Sequence, residues 1–414
     1  MKRSRRSGHP VVAPKLTPGD DRSAFTPRRP RMRELFAALG TAVLVAALLA
    51  MPTSAAHANP DPSNIRLDRV DTDPALLDEL GLELGRSTVA DVLATTNRTA
   101  RACTPSVKYR AASFCWDPGD SSVQFWMPQG ITTTGDASAD GRWQGHEALL
   151  AAWYDKDSGR DMGVRISFVD MANRTTPEYR HVLLVEPRWE NGQATYGPVR
   201  AHAGGIVWYG DHLYVNNTFN GLRVFDMNSL MRVSTGDNTK MGRQPDGSYH
   251  AHNYLWVLPQ TAHYRPSTTG GEARFRYSQT SLDRTTSPHS LLVSEYGNPG
   301  AGTRMARFNL NQSTHHIAAD QDGYARADWA YTVGIRGMQG AVSVNGKFHI
   351  HRSNGASTRG DVFIWRPGSY ATQHTGAVPI GPEDVSYWPQ YGQVWSQSEY
   401  PNLRYVYASR EASW

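Results

Sequence analysis

Cysteine is nearly missing from this chain of 414 residues, where Cys103 and Cys115 are the only two. That excludes a cysteine-rich disulfide scaffold and a four-cysteine zinc site. Lysine is scarce too: beyond residue 58 only Lys108, Lys156, Lys240 and Lys347 occur. No apolar run after position 60 approaches the roughly 20 residues that cross a bilayer. No Gly-x-Ser-x-Gly elbow marks a serine nucleophile. No strand–glycine loop–helix unit is present to cradle phosphate. Charged residues make up 20% of the chain, while glycine (37), proline (25), tyrosine (19) and tryptophan (12) are plentiful. That balance suits a turn-rich β protein better than a helical bundle or a disordered chain.

The formal charge of +5 invites a nucleic-acid reading until the charge is located. Ten of the 43 basic residues fall in residues 1–58, against three of the 38 acidic ones. Beyond residue 58 the chain carries 33 basic and 35 acidic residues, a net of −2, so bulk charge gives no case for nucleic acid as a partner. Arg28, Arg29, Arg31 and Arg33 precede an apolar run from Leu35 to Met51, and Ala56-His57-Ala58 follows. A basic head, a short apolar middle and a small-x-small exit make a secretory signal, with cleavage expected after Ala58 and general export as the route. Met32 is an alternative start, because Met32–Ala58 is a complete signal in itself. A secreted, extracellular location is therefore expected. There, two cysteines twelve positions apart are read as one disulfide, Cys103–Cys115, with a metal or redox site as the alternative.

Residues 59–120 form a mixed lead-in. Pro60, Pro62 and Pro74 favour an extended start, and Ala75–Gly81 and Ser87–Leu93 carry apolar residues at helical spacing. From residue 121 to 414 the sequence breaks into short β-type runs divided by Gly, Asn, Asp and Pro. These fall into four-strand sets that open with a small or polar pair: Gln129-Gly130, Gly204-Gly205, Ser281-Leu282, Gln339-Gly340 and Glu383-Asp384. Asn345-Gly346 is a strong hairpin signal. Recurrent four-strand units mean blades, so the expected fold is an all-β β-propeller. Direct counting gives five blades. The spacing is uneven, at 75, 77, 58 and 44 residues between opening pairs, against about 40–45 for an ordinary blade. Large loops or hidden blades are both compatible with that, so six or seven remain open, and a twisted β-sandwich competes. The last set has only three strands. A strand from the N-terminal region would supply the fourth.

Propellers bind at the mouth of the central channel, and the opening residues of the blades converge there. Gln129, His202 and Gln339 are therefore the candidate binding residues. Asp283, Glu383 and Asp384 are the carboxylates that a glycoside hydrolase would need on the same rim; the opposing reading has such side chains bonding neighbouring backbone N–H groups. His250/His252 and His349/His351 are His-x-His pairs whose side chains share one face if they lie on strands, weak candidates for zinc or copper. With neither a third ligand nor a cofactor motif fixed by spacing, no cofactor is expected. Most of the tryptophans are read as blade packing, with Trp143 or Trp189 as an alternative sugar platform.

Through Pro128-Gln129-Gly130-Ile131, Met338-Gln339-Gly340-Ala341 and Glu383-Asp384-Val385-Ser386-Tyr387-Trp388, the Arg-rich, Lys-poor body resembles the secreted Streptomyces-type β-propeller proteins of the dispase autolysis-inducing group. The resemblance implies seven blades and no enzymatic activity. It implies an extracellular protein partner, a thermolysin-like metalloprotease whose autolysis is promoted, and a role as glutamine donor to a transglutaminase. Fourteen glutamines lie beyond residue 58, and Gln144, Gln193 and Gln244 fall in expected loops. A carbohydrate-active propeller, hydrolase or lectin, is the alternative.

Overall fold

Asn345 and Gly346 have φ of 51° and 69°. This left-handed pair closes a two-residue hairpin between Val344 and Lys347, as Asn-Gly between two apolar runs requires. The computed structural model describes residues 59–157, 159–297 and 303–414. The expected signal, with its cleavage point at Ala58, lies outside the described residues.

Five four-stranded antiparallel blades account for the repeat. Blade 1 comprises Trp126–Thr133, Ala148–Asp155, Val164–Asp170 and Glu178–Glu190. Blade 2 comprises Ile206–Tyr209, His212–Asn217, Gly221–Asp226 and Trp256–Thr268. Blade 3 comprises Gln279–Asp283, Ser290–Ser294, Arg304–Asn309 and Trp329–Thr332. Blade 4 comprises Met338–Val344, Lys347–Arg352, Arg359–Trp365 and Thr372–Ile380. Blade 5 joins Pro382–Trp388, Gln393–Ser398 and Tyr405–Arg410 to Arg110–Cys115 from the N-terminal segment. The missing fourth strand is thus supplied from the start of the chain.

The first strands of the blades meet around one axis. The Trp208 amide donates to Thr132 Oγ1 at 3.1 Å, joining blades 1 and 2. Ser281 Oγ donates to the Ala341 carbonyl at 2.6 Å, joining blades 3 and 4. The Ile131 amide donates to Asp384 Oδ2 at 2.9 Å, joining blades 1 and 5. At the other two junctions the backbones approach so closely that only glycine fits. A Cβ on Gly205 would collide with the Thr280 amide, and one on Gly340 would stand 2.8 Å from Asp384 Cα. The ring is closed at five, so neither a sixth or seventh blade nor a sandwich describes it.

The long repeat units hold excursions. In blade 1 the outer strand continues into a hairpin with Gln193–Pro198. In blade 2 the short strands Met241–Arg243 and Tyr249–Ala251 intervene before the outer strand. Blades 1 and 2 are also stitched at the rim, where Leu183–Val185 pairs in parallel with Val257–Pro259.

Residues 59–120 are woven into the ring. Ile65–Asp71 adds a strand to the edge of blade 2. The expected helices form as Pro74–Leu84 and Val89–Leu93, the second with a Thr88/Asp91 capping box. Arg98–Thr99 pairs with the outer strand of blade 1, and Arg110–Cys115 completes blade 5. The Cys103–Cys115 disulfide is formed. Because Cys115 pairs with Tyr405 in the closing strand, the bridge secures ring closure as well as the local loop. Trp116, Trp153, Trp208, Trp388 and Trp395 are wholly buried, as blade packing demands.

Candidate functional site

At one mouth of the channel a cavity of about 510 Å³ opens, lined by Gln129, His202, Gln279, Gln339, Glu383 and Glu399 among others. All three candidate binding residues are there. Gln279, Gln339 and Glu383 stand at or next to the start of their first strands, Gln129 sits inside Trp126–Thr133 at its irregularity, and His202 lies just before Ile206–Tyr209. The side chains form a directional belt across blades. Ser294 Oγ donates to Gln279 Oε1 at 3.3 Å. Gln279 Nε2 donates to Gln339 Oε1 at 3.1 Å, and Gln339 Nε2 to Glu383 Oε1 at 2.9 Å. From the other side Gln129 Nε2 donates to Glu399 Oε2 at 3.3 Å. The belt converges on two carboxyls, Glu383 and Glu399, that line the same cavity.

Burial, then the charges of Glu399 and Asp384, push the Glu383 carboxyl well above the usual range. Burial raises Glu399 as well. Burial and neighbouring like charge both work against ionisation of Glu383, so its protonated form is favoured. Tyr154, pushed up to about 12 by burial and then by the charges of Glu399 and Glu383, lies with its ring centroid 4.4 Å from that of His202. The outer lip carries Phe219 and Tyr296, both exposed, and the Arg276 guanidinium 5.9 Å from the Phe219 ring.

The three carboxylates expected for a hydrolase are not assembled. Blade 3 begins at Gln279, two residues earlier than the Ser281 start read from the sequence. That places Asp283 at the other end of a five-residue strand, roughly 13 Å along it at about 3.3 Å per residue. There Asp283 accepts from the Thr285 amide at 2.8 Å and pairs with Arg307 at 3.3 Å. Asp384, with φ of 35°, turns inward and is wholly buried. Its Oδ2 accepts from the amides of Ile131 (2.9 Å) and Ile206 (3.3 Å), which is the backbone-bonding alternative. Glu383 alone of the three lines the cavity.

Glu399 and Gln279 were missed in the sequence. Gln279 was legible: Gln279-Thr280 occupies the place of Gln129-Gly130 and Gln339-Gly340. Glu399 follows a second strand, in a loop with no periodic signal.

A second polar cluster was also missed. Ser167 Oγ lies 3.0 Å from His181 Nδ1, and His181 Nε2 lies 3.0 Å from Asp120 Oδ2. The order matches a Ser-His-Asp triad, yet Ser167 is wholly buried and accepts the Trp153 Nε1–H at 2.8 Å. Burial, then the Arg165 charge, depress His181 to about 3. The group is a structural hub, centred on an Asp120 that also binds Arg165 at 2.7 Å and Arg98 at 3.1 Å.

Neither His-x-His pair is a ligand pair as built. His250 bonds Ser248 Oγ at 3.1 Å, while His252 lies beyond the strand with φ of 47° and contacts the Asn238 carbonyl. His349 pairs with Glu411 at 3.2 Å, and His351 contacts Ser396 Oγ at 3.3 Å. Among the described residues no three His, Cys, Asp or Glu side chains converge as a metal shell. Of the loop glutamines, Gln144 is exposed with φ of 51° in the turn between Trp143 and His146. Gln193 begins a strand and accepts from Arg243 at 2.8 Å. Gln244 is half-buried and donates to the Met241 and Gly242 carbonyls. Trp143 packs on Trp208 with ring centroids 5.4 Å apart, and Trp189 Nε1 donates to Asp73 at 2.9 Å; neither lines the mouth.

No family model and no curated protein matches the chain. Among solved structures, it is similar to the gluconolactonase XC5397 of Xanthomonas campestris at 13% identity and a TM-score of 0.36, over 75% of this chain and 88% of that one. It is similar to the Cps50 (Swd1) β-propeller domain from Myceliophteria thermophila at 11% identity and a TM-score of 0.34, over 68% and 82%. The GH43_1 enzyme of Xanthomonas citri complexed with xylose aligns at 12% identity and a TM-score of 0.30, over 81% and 92%. At these values the likenesses say nothing of this chain's chemistry.

Proposed function

We propose that this chain is a secreted, non-enzymatic binding propeller that engages an extracellular protein partner at the channel mouth. The belt supports that reading. Of the three carboxylates a hydrolase would need, only Glu383 lines the cavity, and Glu383 and Glu399 are each held by a glutamine amide. What remains is a wall of amides with an aromatic and cationic lip, suited to holding a polar group. A thermolysin-like metalloprotease is the first partner to test, from the resemblance of the sequence. The wild type should shorten the protease's half-life, and Phe219→Ala and Gln339→Ala should weaken that effect. An unchanged half-life removes this partner. Turnover of aryl glycosides that is lost in Glu399→Gln would instead establish the carbohydrate-active reading.

A second reading, glutamine donation to a transglutaminase, is favoured by the exposed turn at Gln144. Labelled amine should enter at Gln144 ahead of Gln193 and Gln244. Peptide mapping that finds no label on any of the three would remove it.

A further inference from the structure

A second cavity, of about 490 Å³, lies beside the first blade and away from the belt residues. Four arginines from separate segments line it: Arg98, Arg160, Arg165 and Arg180. Among the described residues only two carboxylates face them, and both are committed. Asp120 is shared by Arg165, Arg98 and His181. Asp117 caps the short helix Pro118–Ser122 through the Asp120 amide at 2.7 Å and stands 4.0 Å from Arg98.

Three donors are left over. Arg180 is half-buried and donates to the Thr95 carbonyl. Among the described residues it has no carboxylate within ion-pair distance, and burial followed by the neighbouring charges of Arg98 and Arg232 works against its own charge. Arg160 lies 3.7 Å over the Phe125 ring, likewise without a carboxylate partner among the described residues. Arg165 is nine-tenths or more buried between Trp126 and Trp153, and its Nε has no hydrogen-bond partner. A guanidinium cannot discharge itself by losing a proton in this range, so the excess charge calls for an anion.

We propose that this cavity binds a tetrahedral oxyanion, phosphate or sulfate, held by Arg160 and Arg180 over Arg165. Such a group matches the arginine fork with charge-assisted hydrogen bonds and fits the leftover positive charge better than a single carboxylate does. The site is independent of the channel mouth, so neither reading depends on the other.

Calorimetric titration of the full chain with inorganic phosphate, inorganic sulfate and acetate, at constant ionic strength, tests it. Saturable one-site binding of phosphate or sulfate is expected, with acetate weaker. Arg180→Gln and Arg160→Gln should each weaken it about ten-fold or more, from the loss of a charged hydrogen bond, while Arg276→Gln at the mouth leaves it unchanged. Arg160 is exposed, so its variant keeps the test valid if Arg180→Gln fails to fold. Glucose 6-phosphate and glucose 6-sulfate separate an organic ester from a free ion as the natural source. Acetate binding as tightly as phosphate, equal binding by the variants, or no saturable binding by either ion overturns the proposal.

Discussion

Two cavities of nearly equal size, about 510 and 490 Å³, are built in opposite ways. The channel mouth is made from repeat-equivalent positions at the head of each blade, plus Glu399. The arginine cavity joins blade 1 strands, which carry Arg165 and Arg180, to parts outside the repeat: the helix at residues 118–122, the turn at Arg160 and the excursion at residues 238–255. Their electrostatics differ for a chemical reason. A buried carboxyl without a countercharge favours its protonated form, and Glu383 is pushed that way. A buried guanidinium has no such exit, so Arg165 requires Asp120. The mouth carboxyls are held by glutamine amides, while the second cavity keeps arginines without a carboxylate partner among the described residues.

The largest test of that contrast is a matched pair of isosteric substitutions. Asp120→Asn leaves Arg165 buried without its counterion and should cost about 3–5 kcal/mol in urea unfolding. Glu383→Gln, which preserves the Gln339 hydrogen bond, should cost little. Equal losses in the two variants would erase the distinction.

Next comes the disulfide. Replacing both Cys103 and Cys115 by serine should cost about 2–3 kcal/mol for a loop of this size, read from the unfolding midpoint. Because Cys115 leads through Trp116 into Asp117 and Asp120, oxyanion binding should suffer before the mouth does.

The pH responses should run in opposite directions. Glu383 has a folded pKa above its unfolded value. Its stabilising contribution is full below the ordinary carboxyl range and is lost as pH rises through the folded pKa. Glu383→Gln should therefore gain stability relative to the wild type toward alkaline pH, read from urea unfolding at several pH values. His181 is depressed to about 3, so the unfolded chain takes its proton first. Its contribution is lost as pH falls from about 6.5 toward 3, and His181→Gln should flatten that limb in thermal melts across pH. Gln339→Ala, which removes two belt bonds, should cost about 1 kcal/mol in all, at the low end of about 0.5 kcal/mol per bond.

Much of the fold was legible because its signals are local. Asn345-Gly346 names its own turn, and the three-strand fifth set demanded a partner that Arg110–Cys115 supplies. Gln129, His202 and Gln339 were legible because opening positions of blades converge by geometry. Asp283 misled because Ser278-Gln279-Thr280-Ser281 is uniformly small or polar, and nothing local fixes where that strand begins. The strand begins two residues earlier than Ser281, which leaves Asp283 at its far end. Ser167, His181 and Asp120 gave no signal at all, since they lie on two blade strands and a helix with no common period.

By itself, the sequence determined the strand units, the closing strand and the one disulfide, because each rests on neighbours along the chain. Only the tertiary structure decided which side chains share a cavity and which hold a proton. Gln129 meets Glu399 across 270 residues, and the protonation of Glu383 depends on burial and on which charges stand beside it.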